Sequence, residues 1–168
     1  MPDGGSFTNI NVTNFEILPD DWLERIAAGQ INFDRAAFNR ERDLWQAQGI
    51  KKYTFTQVHE SAAIHPAATI PFLVDYSGTT PLSGKEGDMF KCFGGSIDLV
   101  YSRALSEADY WQDQVYKTDG FSSLNVDVSY NAEWHYPESI RIRIGLTAGG
   151  TYTDRWENVD IIEFKKLE

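Results

Sequence analysis

The chain has 168 residues, a formal net charge of −10 at pH 7 and one cysteine, Cys92. Its acidic character disfavours nucleic acid and anionic lipid as partners, because both carry negative phosphates that the protein would repel. One cysteine excludes an intramolecular disulfide and a zinc site built from cysteines, and the chain lacks an apolar run long enough to predict a transmembrane helix.

Composition divides the chain into three parts. Residues 1–18 are polar and rich in Asn, Thr and Gly, which predicts a flexible N-terminal tether. Residues 19–166 have the length and the apolar content of a single domain. Leu167 and Glu168 resemble the vector-derived junction that precedes a purification tag.

Two helices are predicted before the first strand. Asp21 has Glu24 three residues later, the spacing of a capping box, and Gly29 ends that segment. A second helix is predicted for residues 34–48, with Gly49 in the left-handed conformation that ends many helices. The pair is expected to cover one face of a sheet.

Two strands and a long loop are predicted next. Residues 52–59 and 69–76 alternate apolar and polar side chains, as half-buried strands do. Pro71 has no N–H to donate to a neighbouring strand, so the second of these strands is expected at an edge of the sheet. The Gly-rich residues 77–95 predict a long loop, in which Cys92 is expected to be a small buried apolar residue.

A third helix is predicted for residues 96–117, capped by the hydroxyl of Ser96. Its apolar side chains recur with the spacing of one helical face. They are Ile97, Val100, Tyr101, Ala104 and Leu105. Residues 124–130 and 140–144 then alternate strictly between apolar and polar, which predicts a β-hairpin with residues 131–136 as its connector.

The end of the chain completes the predicted sheet. The last strand is predicted from Trp156 to Phe164, with Ile162 on the same face as these two residues. Val159 and Ile161 then lie on the opposite face. The element order is α-α-β-β-α-β-β-β, and short gaps between the last three strands favour antiparallel pairing. The expected fold is an α+β domain with an antiparallel sheet of about five strands and helices packed on one face.

Two groups of residues resemble the motifs of a bacterial family. The first motif is W…GI..Y.F, carried here by Trp45, Gly49, Ile50, Tyr53 and Phe55. The second is Y…YP..I.I, carried by Tyr130, Tyr136, Pro137, Ile140 and Ile142. Together they resemble a group of bacterial domains of unknown function that occur in small secreted proteins and putative lipoproteins.

The resemblance spans roughly residues 34–164 and implies a location rather than an activity. It implies a protein of the periplasm, the cell envelope or the secreted fraction, whose signal segment or N-terminal lipid anchor has been removed. Membrane attachment is expected only through such an anchor. Family members often carry cysteines after the first strand, where this chain has His59, Glu60 and Ser61, so disulfide chemistry does not carry over. No catalytic residues are established for the family, and no cofactor is expected.

Aromatic and histidine side chains near the turns are the candidate binding residues. They are Trp134, His135, Tyr136, Tyr152 and Trp156. Flat rings on loops stack on sugars or anchor a protein partner, so an unknown protein or a glycan is the expected partner. The alternative is that Tyr136 and Trp156 pack under the helices as core, which leaves Trp134 as the more exposed ring.

A weaker hypothesis is a metal site at His59, Glu60 and His65, because imidazole and carboxylate groups suit zinc. Their spacing matches neither an HExxH motif nor a pair of histidines one helical turn apart. A polar connector with no metal explains the same residues.

Three functions follow from these observations. The first expectation is a non-enzymatic cell-envelope or secreted domain that binds a protein or ligand through exposed aromatic rings or residues 77–95. The alternative is a carbohydrate- or small-ligand-binding module that uses a concave sheet face. A hydrolase-like enzyme comes third, since the chain has no G-x-S-x-G motif.

Overall fold

The computed structural model describes residues 31–78, 91–117, 122–148 and 151–167. Within these ranges lie β1 (Ile31–Phe33), α1 (Arg35–Ala47), β2 (Lys52–Ser61), β3 (Ala68–Asp75), α2 (Ile97–Lys117), β4 (Ser122–Tyr130), β5 (Pro137–Ala148) and β6 (Thr151–Lys166). Three predicted features lie wholly or mainly outside the described residues: the tether of residues 1–18, the helix of residues 21–29 and the loop of residues 77–95.

The six strands form one sheet in the order β1-β4-β5-β6-β2-β3. β1 runs parallel to β4, and the other neighbours are antiparallel. The α+β class is confirmed, but the prediction of an antiparallel sheet of about five strands is wrong in strand number, order and direction. A strand of three residues escapes prediction because it is too short to show period-two alternation. β3, which carries Pro71, lies at an edge of the described sheet as predicted.

Capping residues lie at the start of both described helices and at the end of α1. The Asp34 carboxylate accepts the N–H of Ala37 at 2.8 Å at the start of α1, and Gly49 follows the helix with φ at 62°. The Ser96 hydroxyl accepts the N–H of Leu99 at 3.2 Å at the start of α2. Local capping groups therefore set the start of both helices and the end of α1.

Both helices pack on one face of the sheet, which we call the inner face. Tyr53 of β2 shows this directly, because its ring lies 5.4 Å from the ring of Trp45 in α1 and its hydroxyl accepts the N–H of Ile97 in α2 at 3.0 Å. The buried residues of the strands alternate accordingly. On the three central strands they include Gln57, His59, Ile140, Ile142, Ile144, Val159 and Ile161. Their apolar members form the core with the apolar stripe of α2.

A buried polar contact fixes the segment that leads into α2. The Gln57 side chain donates to the carbonyl of Gly94 at 3.1 Å and accepts the N–H of Phe93 at 2.5 Å. A Cβ on Gly94 would lie 2.7 Å from the backbone nitrogen of Val100, so glycine is needed for this close approach. Cys92 is 7% exposed, as expected of a small buried residue, and burial raises the pKa of its thiol although Arg103 opposes that shift.

A β-bulge changes the faces of β6 from those predicted. Between Thr54 and Thr56 the register with β6 shifts, so that β6 carries one extra residue there. Glu163 has φ at 55°, a value that residues with a side chain rarely adopt. The extra residue reverses the alternation, so Phe164 joins the inner face while Ile162 is 42% exposed. The prediction that Ile162 and Phe164 share a face is therefore wrong.

Candidate functional site

The five predicted binding residues do not form one surface. Trp134, His135 and Tyr136 lie in the connector between β4 and β5, whereas Tyr152 and Trp156 lie in the first half of β6. Because β5 and β6 are antiparallel, that connector and the start of β6 are at opposite ends of β5. β5 has 12 residues, which corresponds to roughly 40 Å at about 3.4 Å per residue. The candidates therefore do not contact one small ligand together.

Tyr136 belongs to a group of packed rings at the connector end of the sheet. Its ring stacks on that of Phe164 with 4.5 Å between centroids, and the residue is 7% exposed. Phe164 also contacts three other rings, and we call the five residues the aromatic cluster. They are Trp45, Tyr53, Trp134, Tyr136 and Phe164. Burial raises the pKa of the Tyr136 phenol. Tyr136 is thus a core residue rather than an exposed ring.

Trp134 and His135 are also held by contacts within the protein. The Lys166 ammonium lies 5.3 Å from the centroid of the Trp134 ring, which is partly buried. His135 has φ at 59°, and its Nδ1 lies 2.8 Å from a carboxylate oxygen of Glu41. Its carbonyl accepts the hydroxyl of Tyr101. These contacts tie the connector to both α1 and α2.

Tyr152 and Trp156 are placed differently. Tyr152 pairs through its backbone with Thr147, and its side chain is outside the described part of the structure. The ring of Trp156 lies 5.8 Å from the guanidinium of Arg143. Arg143 also donates to the side chain of Asn158 at 2.9 Å. Arg143 lies between the inward-facing Ile142 and Ile144 on β5, so its side chain is on the outer face of the sheet. The ring of Trp156 beside it is therefore on the outer face too.

The structure separates His59 from the other two residues of the predicted metal site. His65 follows β2, and its Nδ1 lies 2.8 Å from Glu60 Oε1. His59 faces the inner side, where its Nδ1 lies 2.8 Å from the carbonyl oxygen of Lys91. Among the described residues, no group of three or more His, Cys, Asp or Glu side chains is placed to hold a metal ion.

A cavity of about 600 Å³ lies on the inner face, between α2 and the strands β2, β5 and β6. Its lining combines apolar and charged side chains. Among them are Glu107 and Trp111 of α2, Ile142 and Ile144 of β5, and Arg155 and Glu157 of β6. The volume falls in the range of about 300–1,000 Å³ that small-molecule sites occupy.

Of the predicted binding residues whose side chains the structure describes, none supplies a ring to this cavity. Trp156 lies in its wall, but its ring is on the outer face beside Arg143. One sequence signal did point to the cavity. Glu157 is in phase with Val159 and Ile161, which are 1% and 4% exposed, so a charged residue occupies the buried phase of the last strand. A charged residue at an inward-facing position of a strand is unusual and often indicates a functional site.

Glu157 lines the cavity and contacts His59, which is buried behind the cavity wall. Glu157 Oε2 lies 3.5 Å from His59 Nε2, and the two side chains are 24% and 2% exposed. Each of these two atoms is buried without a hydrogen-bond partner among the described residues. A buried polar atom left in this state costs about 1–3 kcal/mol. The fold therefore carries an unfavourable polar pair at the wall of a cavity.

Two other charged groups of the cavity, Glu107 and Arg155, have contacts of their own. Glu107 accepts the indole N–H of Trp111 at 3.2 Å and lies 3.9 Å from Arg103, one helical turn earlier. The guanidinium of Arg155 lies 5.4 Å from the centroid of the Trp111 ring. The basic group in the lining is thus directed at an aromatic ring rather than at Glu157.

No protein-family model, no curated protein and no solved structure matches this chain. In the described ranges, neither helix is both long and apolar enough to cross a membrane. Function is therefore argued from the geometry of the cavity.

Proposed function

We propose that the protein is a non-enzymatic domain that binds a small organic ligand in the cavity between α2 and the inner face. The observation that supports this function is the volume of about 600 Å³ with a mixed apolar and charged lining. Small-molecule sites combine an apolar body with a few polar groups that orient the ligand. Trp111, Ile142 and Ile144 provide the apolar surface, and Glu157 and Arg155 provide charge.

The hypothesis of a protein or glycan partner bound by exposed rings has less support. Tyr136 and Trp134 contact Phe164 in the aromatic cluster, so their surfaces are already used in packing. A location outside the cytoplasm belongs to the proposal and is supported by the two sequence motifs alone.

A hydrolase-like function is also less well supported than binding. Ser61 supplies a hydroxyl to the cavity wall, and that hydroxyl accepts the N–H groups of Ala63 and Ile64 at 3.3 and 3.2 Å. A nucleophilic serine instead needs an adjacent base and a group that orients the base. The Ser61 hydroxyl stabilises a turn.

The proposal is tested by screening a library of small organic fragments with ligand-observed NMR. Ala63 lies in the cavity wall, so Ala63→Trp should fill the cavity and abolish binding of the fragments that the wild-type protein retains. Ala67→Trp is the matched control, because Ala67 is exposed in the same connector and outside the cavity wall. Fragments that bind Ala63→Trp as well as they bind the wild type, or a screen without hits, would refute the proposal.

Tryptophan fluorescence gives an independent check. Trp111 has its ring at the cavity and Trp156 has its ring on the outer face. A fragment that enters the cavity should change the emission of the wild type and of Trp156→Phe, and should leave that of Trp111→Phe almost unchanged. The reverse pattern would place the bound fragment on the outer face.

A further inference from the structure

The contact between His59 and Glu157 indicates which chemical class of ligand the cavity would bind. The Nδ1 of His59 lies 2.8 Å from the carbonyl oxygen of Lys91. A carbonyl oxygen only accepts hydrogen bonds, so Nδ1 carries a hydrogen and donates it. In the neutral ring the remaining nitrogen, Nε2, then presents a lone pair to Glu157.

With the imidazole neutral, two acceptors face each other in a buried place. Glu157 Oε2 and His59 Nε2 are 3.5 Å apart, longer than the 2.7–2.9 Å of a charge-assisted hydrogen bond between a protonated ring and a carboxylate. Neither atom has a donor among the residues that the structure describes. The negative charge of Glu157 is thus uncompensated on that side, and a buried charge without a partner is unfavourable.

The basic residue next to Glu157 on the inner face does not neutralise it. Arg155 is two residues away on the same strand face, but its guanidinium packs against the ring of Trp111 at 5.4 Å. The Glu157 side chain is 24% exposed and lies in the cavity wall, so a ligand in the cavity can reach part of it. Ile142 and Ile144 beside it offer apolar contact.

We propose that Glu157 anchors the cationic group of the ligand, and that the ligand is a primary amine with an apolar body. This inference rests on the proposed function, because it assigns a chemical class to the occupant of the same cavity. An ammonium group carries three N–H donors, so it can pair with the carboxylate of Glu157 and still donate to a second acceptor in the cavity lining. The apolar body then lies against Ile142, Ile144 and the indole of Trp111.

The test compares phenethylamine with phenethyl alcohol, which has the same ring and chain but no charge. Binding is followed through the imidazole resonances of a protein that has only three histidines. Phenethylamine should shift the resonances of His59, which contacts Glu157, and leave those of His65 and His135 unchanged, since neither these histidines nor their partners Glu60 and Glu41 line the cavity. Its affinity should exceed that of the alcohol at least about tenfold, as expected for an ionic hydrogen bond.

Two variants assign the preference to one carboxylate. Glu157→Gln should abolish the preference for the amine, whereas Glu60→Gln removes an equal charge on the other face of β2 and should change the affinity by less than about twofold. Equal binding of amine and alcohol to the wild type, or an unchanged preference in Glu157→Gln, would overturn the inference while leaving the proposed function intact. Binding of neither compound in a protein that does retain other fragments would also overturn it. Loss of all fragment binding would instead refute the proposed function.

Discussion

The two ends of the inner face are built differently, although the same strands supply both. At the connector end, the rings of the aromatic cluster fill the space between α1 and the sheet, and Phe164 contacts four of them. At the other end, β2, β5 and β6 run beneath α2 and leave a cavity of about 600 Å³. One end is closed by packing and the other remains open.

The side chains that face inward explain the difference. The closed end uses large aromatic residues, which bury much apolar area and fit edge to face or offset. The open end has Glu157 and His59 at inward positions, where buried Oε2 and Nε2 atoms lack partners among the described residues. The closed end therefore contributes packing that stabilises the fold, whereas the candidate binding site lies at the open end, where two buried polar atoms reduce stability.

The largest predicted effect tests whether the closed end is core. Tyr136→Ala removes a ring that is 7% exposed and stacked on Phe164, so we expect the free energy of unfolding to fall by about 3 kcal/mol. Denaturant unfolding measures the change. Trp156→Ala is the comparison, because its ring is on the outer face, and its loss should be clearly smaller. If Tyr136→Ala left the free energy of unfolding almost unchanged, Tyr136 would not be a core residue and would again be a candidate for binding.

Gln57 lies midway along β2, between the two ends. Gln57→Leu leaves the N–H of Phe93 and the carbonyl of Gly94 without their side-chain partner, and we expect a loss of about 2 kcal/mol because both groups are buried. Chemical denaturation measures it. Hydrogen exchange should accelerate at Phe93 in particular. Unchanged exchange there would show that the segment before α2 is held by other contacts.

At the open end, a substitution is expected to raise the free energy of unfolding rather than lower it. Glu157→Leu replaces a poorly compensated carboxylate by an apolar side chain of similar size, so we expect the free energy of unfolding to rise by about 1 kcal/mol. The same change should abolish amine binding. Glu60→Leu serves as the control, because Glu60 is hydrogen bonded to His65 and its replacement should bring no gain. A marked loss of stability in Glu157→Leu would mean that Glu157 is already compensated.

The smallest effect concerns pH at the closed end. Burial alone would raise the pKa of Glu41, but hydrogen bonds from His135 and Arg40 outweigh it, so the pKa lies below its usual value. A carboxyl group whose pKa is lowered by folding contributes stability above its unfolded pKa of about 4.3 and loses it as the pH falls through the folded value. We expect Glu41→Gln to cost less than about 1 kcal/mol at neutral pH.

Unfolding measured between pH 5 and pH 3 checks this prediction. The wild type should lose more stability over that interval than Glu41→Gln, so the two curves should converge in acid. Parallel curves would show that the contact between Glu41 and His135 does not contribute.

Much of the fold could be predicted because its signals are local. Ser96 and Gly49 mark helix ends through a side-chain hydroxyl and through backbone freedom, and these two assignments are confirmed. The hairpin of β4 and β5 follows from strict alternation over many residues. Such features depend on neighbours in sequence, so one chain suffices to predict them.

The features that escaped prediction depend on distant partners. The bulge at Glu163 arises where β6 meets β2, and it reverses the face of Phe164 without a local sequence mark. Tyr136 stacks on Phe164, and Phe164 reaches the inner face only through that bulge. The sequence alone therefore does not predict whether the ring of Tyr136 is exposed for binding or buried in the core. The cavity likewise forms where α2 meets β5, β6 and β2, and β2 is distant in sequence from the other two strands.

The short strand β1 has a consequence for the order of folding. The side chain of Asn32 donates to that of Asn125, 93 residues along the chain, and closing so long a loop carries a large entropic cost before any contact is gained. Three of the antiparallel pairs, β4–β5, β5–β6 and β2–β3, form over much shorter connections and can assemble first, whereas β2 and β6 are at least as far apart in sequence as β1 and β4. β1 then docks onto an existing edge, so the parallel pair is a late addition to a sheet that is antiparallel when it nucleates.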